Sequence, residues 1–91
     1  MVQSHEVLRP GIQLSIAPNP IQTRTNIRLS GAVIPKGLCH IYDVHGRLMQ
    51  QIPLQNNELW IDRAQLPESG LYFFRITAAS DVVAQGKLLA Q

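Results

Sequence analysis

Two stretches of the sequence decide the fold: IYDVHGR at Ile41–Arg47, and LPESGLYFFRI at Leu66–Ile76. In the first stretch an alternating apolar run meets a four-residue segment that ends in Gly46. Glycine in that position suits a tight turn whose last residue needs a positive φ angle. The first stretch therefore predicts a β-hairpin.

The second stretch predicts a strand that starts directly after a short connection. Pro67 and Gly70 frame this connection, and the mostly apolar residues after it alternate between the two faces of a strand. One face of the strand would carry Tyr72, Phe74 and Ile76, because successive side chains of a strand point to opposite sides. Tyr72 also stands where a tyrosine corner would place its hydroxyl on backbone groups a few residues upstream.

The same alternation recurs along the rest of the chain, and no window shows a helical apolar period. Turn signals every 8 to 12 residues or so are typical of an immunoglobulin-like sandwich. Met49 interrupts one run and leaves its register open. We predict an all-β, seven-stranded antiparallel immunoglobulin-like β-sandwich, with strands at 12–16, 25–30, 37–43, 48–52, 58–62, 71–77 and 82–89. The predicted core consists of Ile27, Leu29, Cys39, Ile41, Leu59, Ile61, Tyr72, Phe74 and Ile76.

The first eleven residues show no periodicity and close with the breaker pair Pro10-Gly11. We predict that Met1–Gly11 is a linker, or a segment foreign to the domain, and that residues 12–91 form the sandwich.

Composition describes one folded domain and excludes several classes of protein. The 91 residues are 45% hydrophobic and 15% charged, and no apolar run approaches the roughly 18 residues needed for a membrane span. We therefore expect no membrane insertion. The eight basic residues are scattered singly and the net charge is only +2, so no nucleic-acid partner is expected.

Few side chains suggest catalysis or metal binding. Of the three histidines only His40 and His45 could approach one another, and two ligands do not make a zinc site. The lone cysteine, Cys39, is predicted to point into the core, whereas a reactive thiol needs exposure. The carboxylates form no evident acid and base pair. We expect no enzyme activity, no metal and no cofactor.

Three aromatic residues, Trp60, Tyr42 and Phe73, are out of phase with the predicted core positions of their strands. Outward aromatic rings can stack on sugars or contact a protein partner. An accessory carbohydrate-binding module, or an immunoglobulin-like adaptor of a secreted enzyme, is therefore the alternative function. The sugar-binding reading requires at least two of these rings to be coplanar on one exposed face.

Four motifs in this order resemble one family, the C-terminal sorting domain of type IX secretion system (Por secretion system) cargo proteins. Besides the two stretches above they include Ala17-Pro18-Asn19-Pro20, similar to the family's opening Tyr-Pro-Asn-Pro, and the terminal Lys87-Leu88-Leu89. The resemblance runs from about Leu14 to Leu89. Ala17 replaces the family's aromatic residue.

The resemblance implies a non-enzymatic secretion signal at the C-terminus of a larger cargo protein of Bacteroidetes-type bacteria. A leader would take the parent protein to the periplasm, the outer-membrane type IX translocon would bind this domain, and a sortase-like peptidase would cut within Met1–Gly11. The cargo would end at the cell surface or in the medium. Translocon recognition is expected to involve Asp43, Gly46, Arg47, Gly70, Tyr72, Lys87, Leu88 and Leu89.

Two surfaces are candidates for that recognition: the hairpin Asp43–Arg47 and the terminal strand Gly86–Leu89. Arg47 can pair with Asp43 across the hairpin or contact a receptor. An edge strand with unpaired backbone groups can add to a partner's sheet, and we expect the terminal strand to offer such an edge.

Overall fold

The computed structural model describes residues 7–91. These residues form eight β-strands and one short 3-10 helix, Arg63–Gln65. All pairings between neighbouring strands are antiparallel. The strands are β1 (Val7–Leu8), β2 (Gln13–Ala17), β3 (Arg24–Ser30), β4 (Leu38–Tyr42), β5 (Leu48–Pro53), β6 (Glu58–Asp62), β7 (Gly70–Ala78) and β8 (Asp81–Ala90).

The strands make two sheets that face each other across one core. One sheet has the order β1-β8-β7-β4-β5, and the other has the order β2-β3-β6. The predicted all-β sandwich is therefore confirmed. Its immunoglobulin-like character stays a prediction.

The number of strands is eight rather than the predicted seven. The additional strand, β1, pairs Val7 with Gln85 and Leu8 with Ala84, within the segment predicted as a linker. A strand of two residues is too short to show alternation in the sequence, which explains why the pattern missed it. Residues 1–6 of that segment lie outside the described residues.

All nine residues of the predicted core are buried. Each lies on the inner face of its strand, as the alternation required. The core also contains residues that the prediction omitted, several of them in loops or in β8: Ile12, Ile21, Ile34, Leu66, Ala78, Val83, Ala84, Leu88 and Ala90.

Two bulges explain where the alternation fails. Gln50 pairs with Ile41 and Leu48 pairs with Tyr42, so Met49 is an extra residue in β5. Val83 is likewise extra in β8, between the partners of Ile76 and Thr77, and both Val83 and its neighbour Ala84 are buried. The bulge at Met49 explains why the sequence pattern alone could not assign the register of β5.

One edge of the five-stranded sheet is β5, and a proline protects it. The backbone N–H of Leu54 donates to the carbonyl of Gly37 at 2.9 Å, so alternation along β5 directs the nitrogen of Pro53 away from β4. That position lacks a donor for an incoming strand. Proline on an edge strand is a known means of preventing unwanted sheet extension.

Candidate functional site

The four sequence motifs meet at one end of the sandwich. Asn19 of the first motif contacts Leu89 of the last, and Leu89 pairs with Leu71 at the start of β7. The hairpin lies beside the same place, because Tyr42 pairs with Phe73. We call this region the motif end and define it as residues 17–21, 42–47, 66–73 and 87–91.

The Ala17–Pro20 motif is joined to the last strand by a line of hydrogen bonds. The side-chain oxygen Oδ1 of Asn19 accepts from the N–H of Leu89 at 3.1 Å, and the N–H of Ile21 donates to the Leu89 carbonyl at 2.7 Å. The N–H of Gln91 then donates to the Ile21 carbonyl at 2.9 Å. The outer backbone groups of Leu89 are therefore fully used.

Arg63 adds a second contact to the end of β8, one that sequence reasoning missed. Its Nε donates to the backbone oxygen of Gln91 at 2.8 Å, and its guanidinium also donates to the carbonyl of Leu66. A longer bond of 3.4 Å reaches the hydroxyl of Ser69. No local pattern signals the contact with Gln91, because that residue lies 28 positions away.

The hairpin turn is built around the carboxylate of Asp43. Its Oδ1 accepts from the N–H groups of His45 and Arg47, both at 2.9 Å, and its Oδ2 accepts from Nε of Arg47 at 2.7 Å. Gly46 has φ of 81° and donates its N–H to the Asp43 carbonyl at 3.0 Å. The Asp43–Arg47 pair and the positive φ of Gly46 are both confirmed.

These contacts favour the ionised form of Asp43. Burial by itself raises the pKa of the carboxyl group, but the hydrogen bonds from Arg47 and His45 and the Arg47 charge outweigh it. The pKa of Asp43 is therefore lower than the ordinary value. The hairpin therefore contains an ionised carboxylate, that of Asp43, paired with the guanidinium of Arg47.

Tyr72 makes the predicted tyrosine corner. Its hydroxyl donates to the carbonyl of Glu68 at 2.8 Å and accepts from the N–H of the same residue at 3.1 Å. The ring is buried, with 3% of the residue exposed. Gly70, between the two residues, has a positive φ of 125°, a conformation that glycine adopts more readily than other residues. Tyr72 thus fixes the connection that precedes β7.

A small cleft of about 160 Å³ separates the hairpin from this corner. One side is formed by the turn, including Asp43 and Arg47, and the other by Glu68, Ser69 and Tyr72. Residues that are about 25 positions apart in the sequence therefore share one surface at the motif end.

The predicted free edge of the terminal strand Gly86–Leu89 is closed at Leu89 and open at positions 86–88. On one side β8 pairs with β7 from Asp81 to Ala90. On the other side β1 pairs with Ala84 and Gln85, while Asn19 and Ile21 take the backbone groups of Leu89. No backbone group among residues 7–91 pairs with positions 86–88 on that side.

The residues predicted for translocon recognition divide into buried and exposed groups. Tyr72 and Leu88 lie in the core, Asp43 is 9% exposed, and Gly70 is partly exposed. The exposed members are Gly46, Arg47, Lys87 and Leu89. All eight lie in the motif end, where only the exposed group could meet a partner without unfolding.

The thiol of Cys39 lies in the core, as its strand pattern predicted. Cys39 is fully buried, and burial raises the pKa of its thiol to about 12. Residues 7–91 contain no cluster of three or more histidine, cysteine or acidic side chains able to hold a metal ion. The same residues include no helix with the length and apolar character needed to span a bilayer.

The three outward aromatic residues do not share a face. Trp60 lies on the three-stranded sheet, where the guanidinium of Arg24 covers its ring at 4.1 Å from the centroid. Tyr42 and Phe73 are paired neighbours on the outer face of the five-stranded sheet. Trp60 therefore has no second aromatic ring of this set on its face, whereas Tyr42 and Phe73 share one.

Comparison with known families supports the reading that the motifs suggested. The family model of the secretion system C-terminal sorting domain matches residues 15–91, which is most of the chain and includes all four motifs. No curated protein and no solved structure matches it. The chain belongs to the family of secretion system C-terminal sorting domains and carries a type IX secretion sorting signal.

Proposed function

We propose that this domain is a non-enzymatic, folded address tag for a larger cargo protein, and that the motif end is the part that the export machinery binds. The observation that carries the proposal is the Asn19–Leu89 hydrogen bond of 3.1 Å, which brings the first and last motifs together. Motifs that are far apart in the sequence but adjacent in space are what a recognition surface requires.

The partners in this proposal are the outer-membrane type IX translocon and a sortase-like peptidase. The parent protein would pass through the periplasm before the translocon takes it to the cell surface or medium. Cleavage is proposed within Met1–Gly11. Support comes from Arg9–Gly11, which are exposed between β1 and the buried Ile12, so a peptidase could reach them without entering the core.

The residues of the motif end have two separate roles in this proposal. The exposed Gly46, Arg47, Lys87 and Leu89 contact the translocon. The buried or half-buried Asp43, Gly70, Tyr72 and Leu88 hold that surface in shape through the turn, the tyrosine corner and the core. Substitutions of Lys87 or Leu89 should affect export alone, whereas those in the second group should affect folding as well. Gly46 and Arg47 also stabilise the hairpin turn, so substitutions there should affect both.

The test is an export assay in a type IX-competent host. Residues 1–91 are fused behind a leader and a fluorescent reporter, and the reporter is measured in periplasm, surface and medium fractions. We expect surface or medium fluorescence, and periplasmic retention in the same host without its translocon. Equal export in both hosts would contradict the proposal.

Deleting Gly86–Gln91 should leave the reporter in the periplasm. Because β8 pairs with β7 along its whole length, this deletion also removes core residues and threatens the fold. Arg47→Gln is the milder companion variant, because it removes the exposed charge without placing a second carboxylate beside Asp43. Circular dichroism of the purified domain separates loss of recognition from loss of structure.

A further inference from the structure

Exposed apolar side chains are concentrated on one corner of the molecule. Of the large hydrophobic residues that are exposed in the described part, more than half lie at the motif end of the five-stranded sheet or beside it. We call this surface the apolar corner and define it as Tyr42, Val44, Leu48, Leu71, Phe73 and Leu89. Val44 is the most exposed of them, at 59%.

Strand register makes the apolar corner continuous. Leu48 pairs with Tyr42, Tyr42 pairs with Phe73, and Leu71 pairs with Leu89 on the next strand. These positions share the outer face of the sheet, because their neighbours Phe74 and Leu88 point into the core. Two shallow depressions of about 250 and 370 Å³ lie along Tyr42 and Phe73.

Positive charge lies beside this apolar surface without a matching acid. Lys87 pairs with Phe73 in register, and Arg75 lies two residues further along β7. Neither side chain forms an ion pair with any residue among 7–91; Arg75 donates only to the side chain of Gln85, at 3.3 Å.

The outer face of the three-stranded sheet differs in this respect. There Arg28 pairs with Glu58 at 3.0 Å and Arg24 pairs with Asp62 at 3.6 Å. That face neutralises its own charge and carries one exposed aromatic ring, Trp60. The two faces thus provide a candidate surface and an internal control on the same domain.

We propose that the apolar corner binds a protein component of the export machinery, at an apolar groove with carboxylate groups on its rim. Charge complementarity decides the occupant, because Arg75 and Lys87 require acidic partners once the aromatic centre excludes water. An anionic membrane is disfavoured, since surfaces that bind lipid headgroups use clusters of about four to eight cations. This inference rests on the proposed function and names the chemistry of its partner.

The experiment compares matched substitutions on the two faces in the export assay above. Phe73→Ser removes an exposed ring from the apolar corner, and Trp60→Ser removes one from the other sheet. Lys87→Glu reverses a charge beside the apolar corner. Its control, Lys36→Glu, reverses a charge in the turn before β4. Export should fall roughly tenfold for Phe73→Ser, the size expected for an interface anchor, and fall clearly for Lys87→Glu.

Thermal unfolding of each purified variant checks that the fold is intact. If Phe73→Ser unfolds the domain, Val44→Ser replaces it, because Val44 is in a turn and far more exposed. Wild-type export from Phe73→Ser or Val44→Ser and from Lys87→Glu would overturn the inference while leaving the proposed function standing. Failure of the wild-type fusion to be exported would instead contradict the proposed function.

A vesicle assay separates a protein partner from a lipid surface. Purified residues 1–91 are sedimented with vesicles of phosphatidylethanolamine and phosphatidylglycerol, and the bound fraction is compared with that of Lys87→Glu. We expect no binding by either protein. Binding by the wild type that is lost in Lys87→Glu would assign the apolar corner to lipid and overturn the protein partner.

Discussion

The side-chain oxygen of Asn19 accepts a hydrogen bond from the backbone N–H of Leu89, 70 residues further along the chain. Two prolines flank Asn19. Ile21, which follows the second proline, hydrogen-bonds to both the carbonyl of Leu89 and the N–H of Gln91. The motif Ala17–Pro20 and Ile21 are therefore hydrogen-bonded to the end of β8. Its asparagine has a structural explanation that the sequence pattern alone did not supply.

Replacing Asn19 with alanine should destabilise the domain by about 1 kcal/mol, because the N–H of Leu89 loses its acceptor. Asn19→Asp is the matched control, since a carboxylate oxygen can still accept that bond. Urea unfolding followed by Trp60 fluorescence measures both. Equal midpoints for alanine and wild type would show that the bond contributes nothing.

Tyr72→Phe should destabilise the domain by roughly 1 to 3 kcal/mol, because both backbone groups of Glu68 lose their partner while the ring still fills the core. The measurement is the urea midpoint of the purified variant. A midpoint equal to that of wild type would mean that water replaces the hydroxyl without cost.

The two turn glycines should respond differently to asparagine. Gly46→Val and Gly70→Val should each destabilise by about 1 to 3 kcal/mol through backbone strain, since open space surrounds both positions. Gly46→Asn should be milder, because asparagine tolerates left-handed φ angles near that of 81°. Gly70, at 125°, lies outside that region, so Gly70→Asn should remain harmful. Denaturant midpoints of the four variants test this difference.

The hairpin should make stability depend on acid pH. The pKa of Asp43 is lower in the folded state, so its contribution is present above the unfolded value of about 3.9 and is lost as pH falls through the folded value. Asp43→Asn removes this dependence. We expect the stability advantage of wild type over Asp43→Asn to shrink below about pH 4, as measured by urea unfolding between pH 7 and pH 2. Parallel curves would contradict the assignment.

The thiol of Cys39 should be unreactive in the folded protein. Its pKa of about 12 leaves almost no thiolate near neutral pH, and the residue is fully buried. A thiol-specific reagent at pH 8 should label the native domain only as fast as it unfolds and should label the urea-unfolded chain at once. Rapid labelling without urea would place Cys39 at the surface.

The regular part of the fold could be predicted because alternation states which residues face inward. Ile27, Leu59 and Phe74 illustrate this, since each is buried while both of its neighbours along the strand are at least partly exposed. Alternation carries no information where the backbone is irregular. Ile21, Ile34 and Leu66 are buried from loops, and no period identifies them. The alternation also missed Val83, because a bulge places it beside another buried residue.

The candidate site was predictable only where its contacts are local. The Asp43–Arg47 pair and the Tyr72–Glu68 bonds each join residues four positions apart, so sequence spacing indicates them. The bonds from Asn19 to Leu89 and from Arg63 to Gln91 join residues 70 and 28 apart, and only the folded chain brings them together. The same long-range contacts explain why Leu89 is not part of the free edge that was expected.

Under the proposed function, the hydrogen bond between Asn19 and Leu89 also links export to the presence of the last strand. A product that stops short of Leu89, through interrupted synthesis or proteolysis, still contains the first motif, the hairpin and the tyrosine corner, yet its Asn19 has no strand to hold. Under the proposed function such a fragment presents an incomplete motif end and remains behind. Export would then select for chains translated at least to the final strand of this domain, without any separate inspection of the cargo.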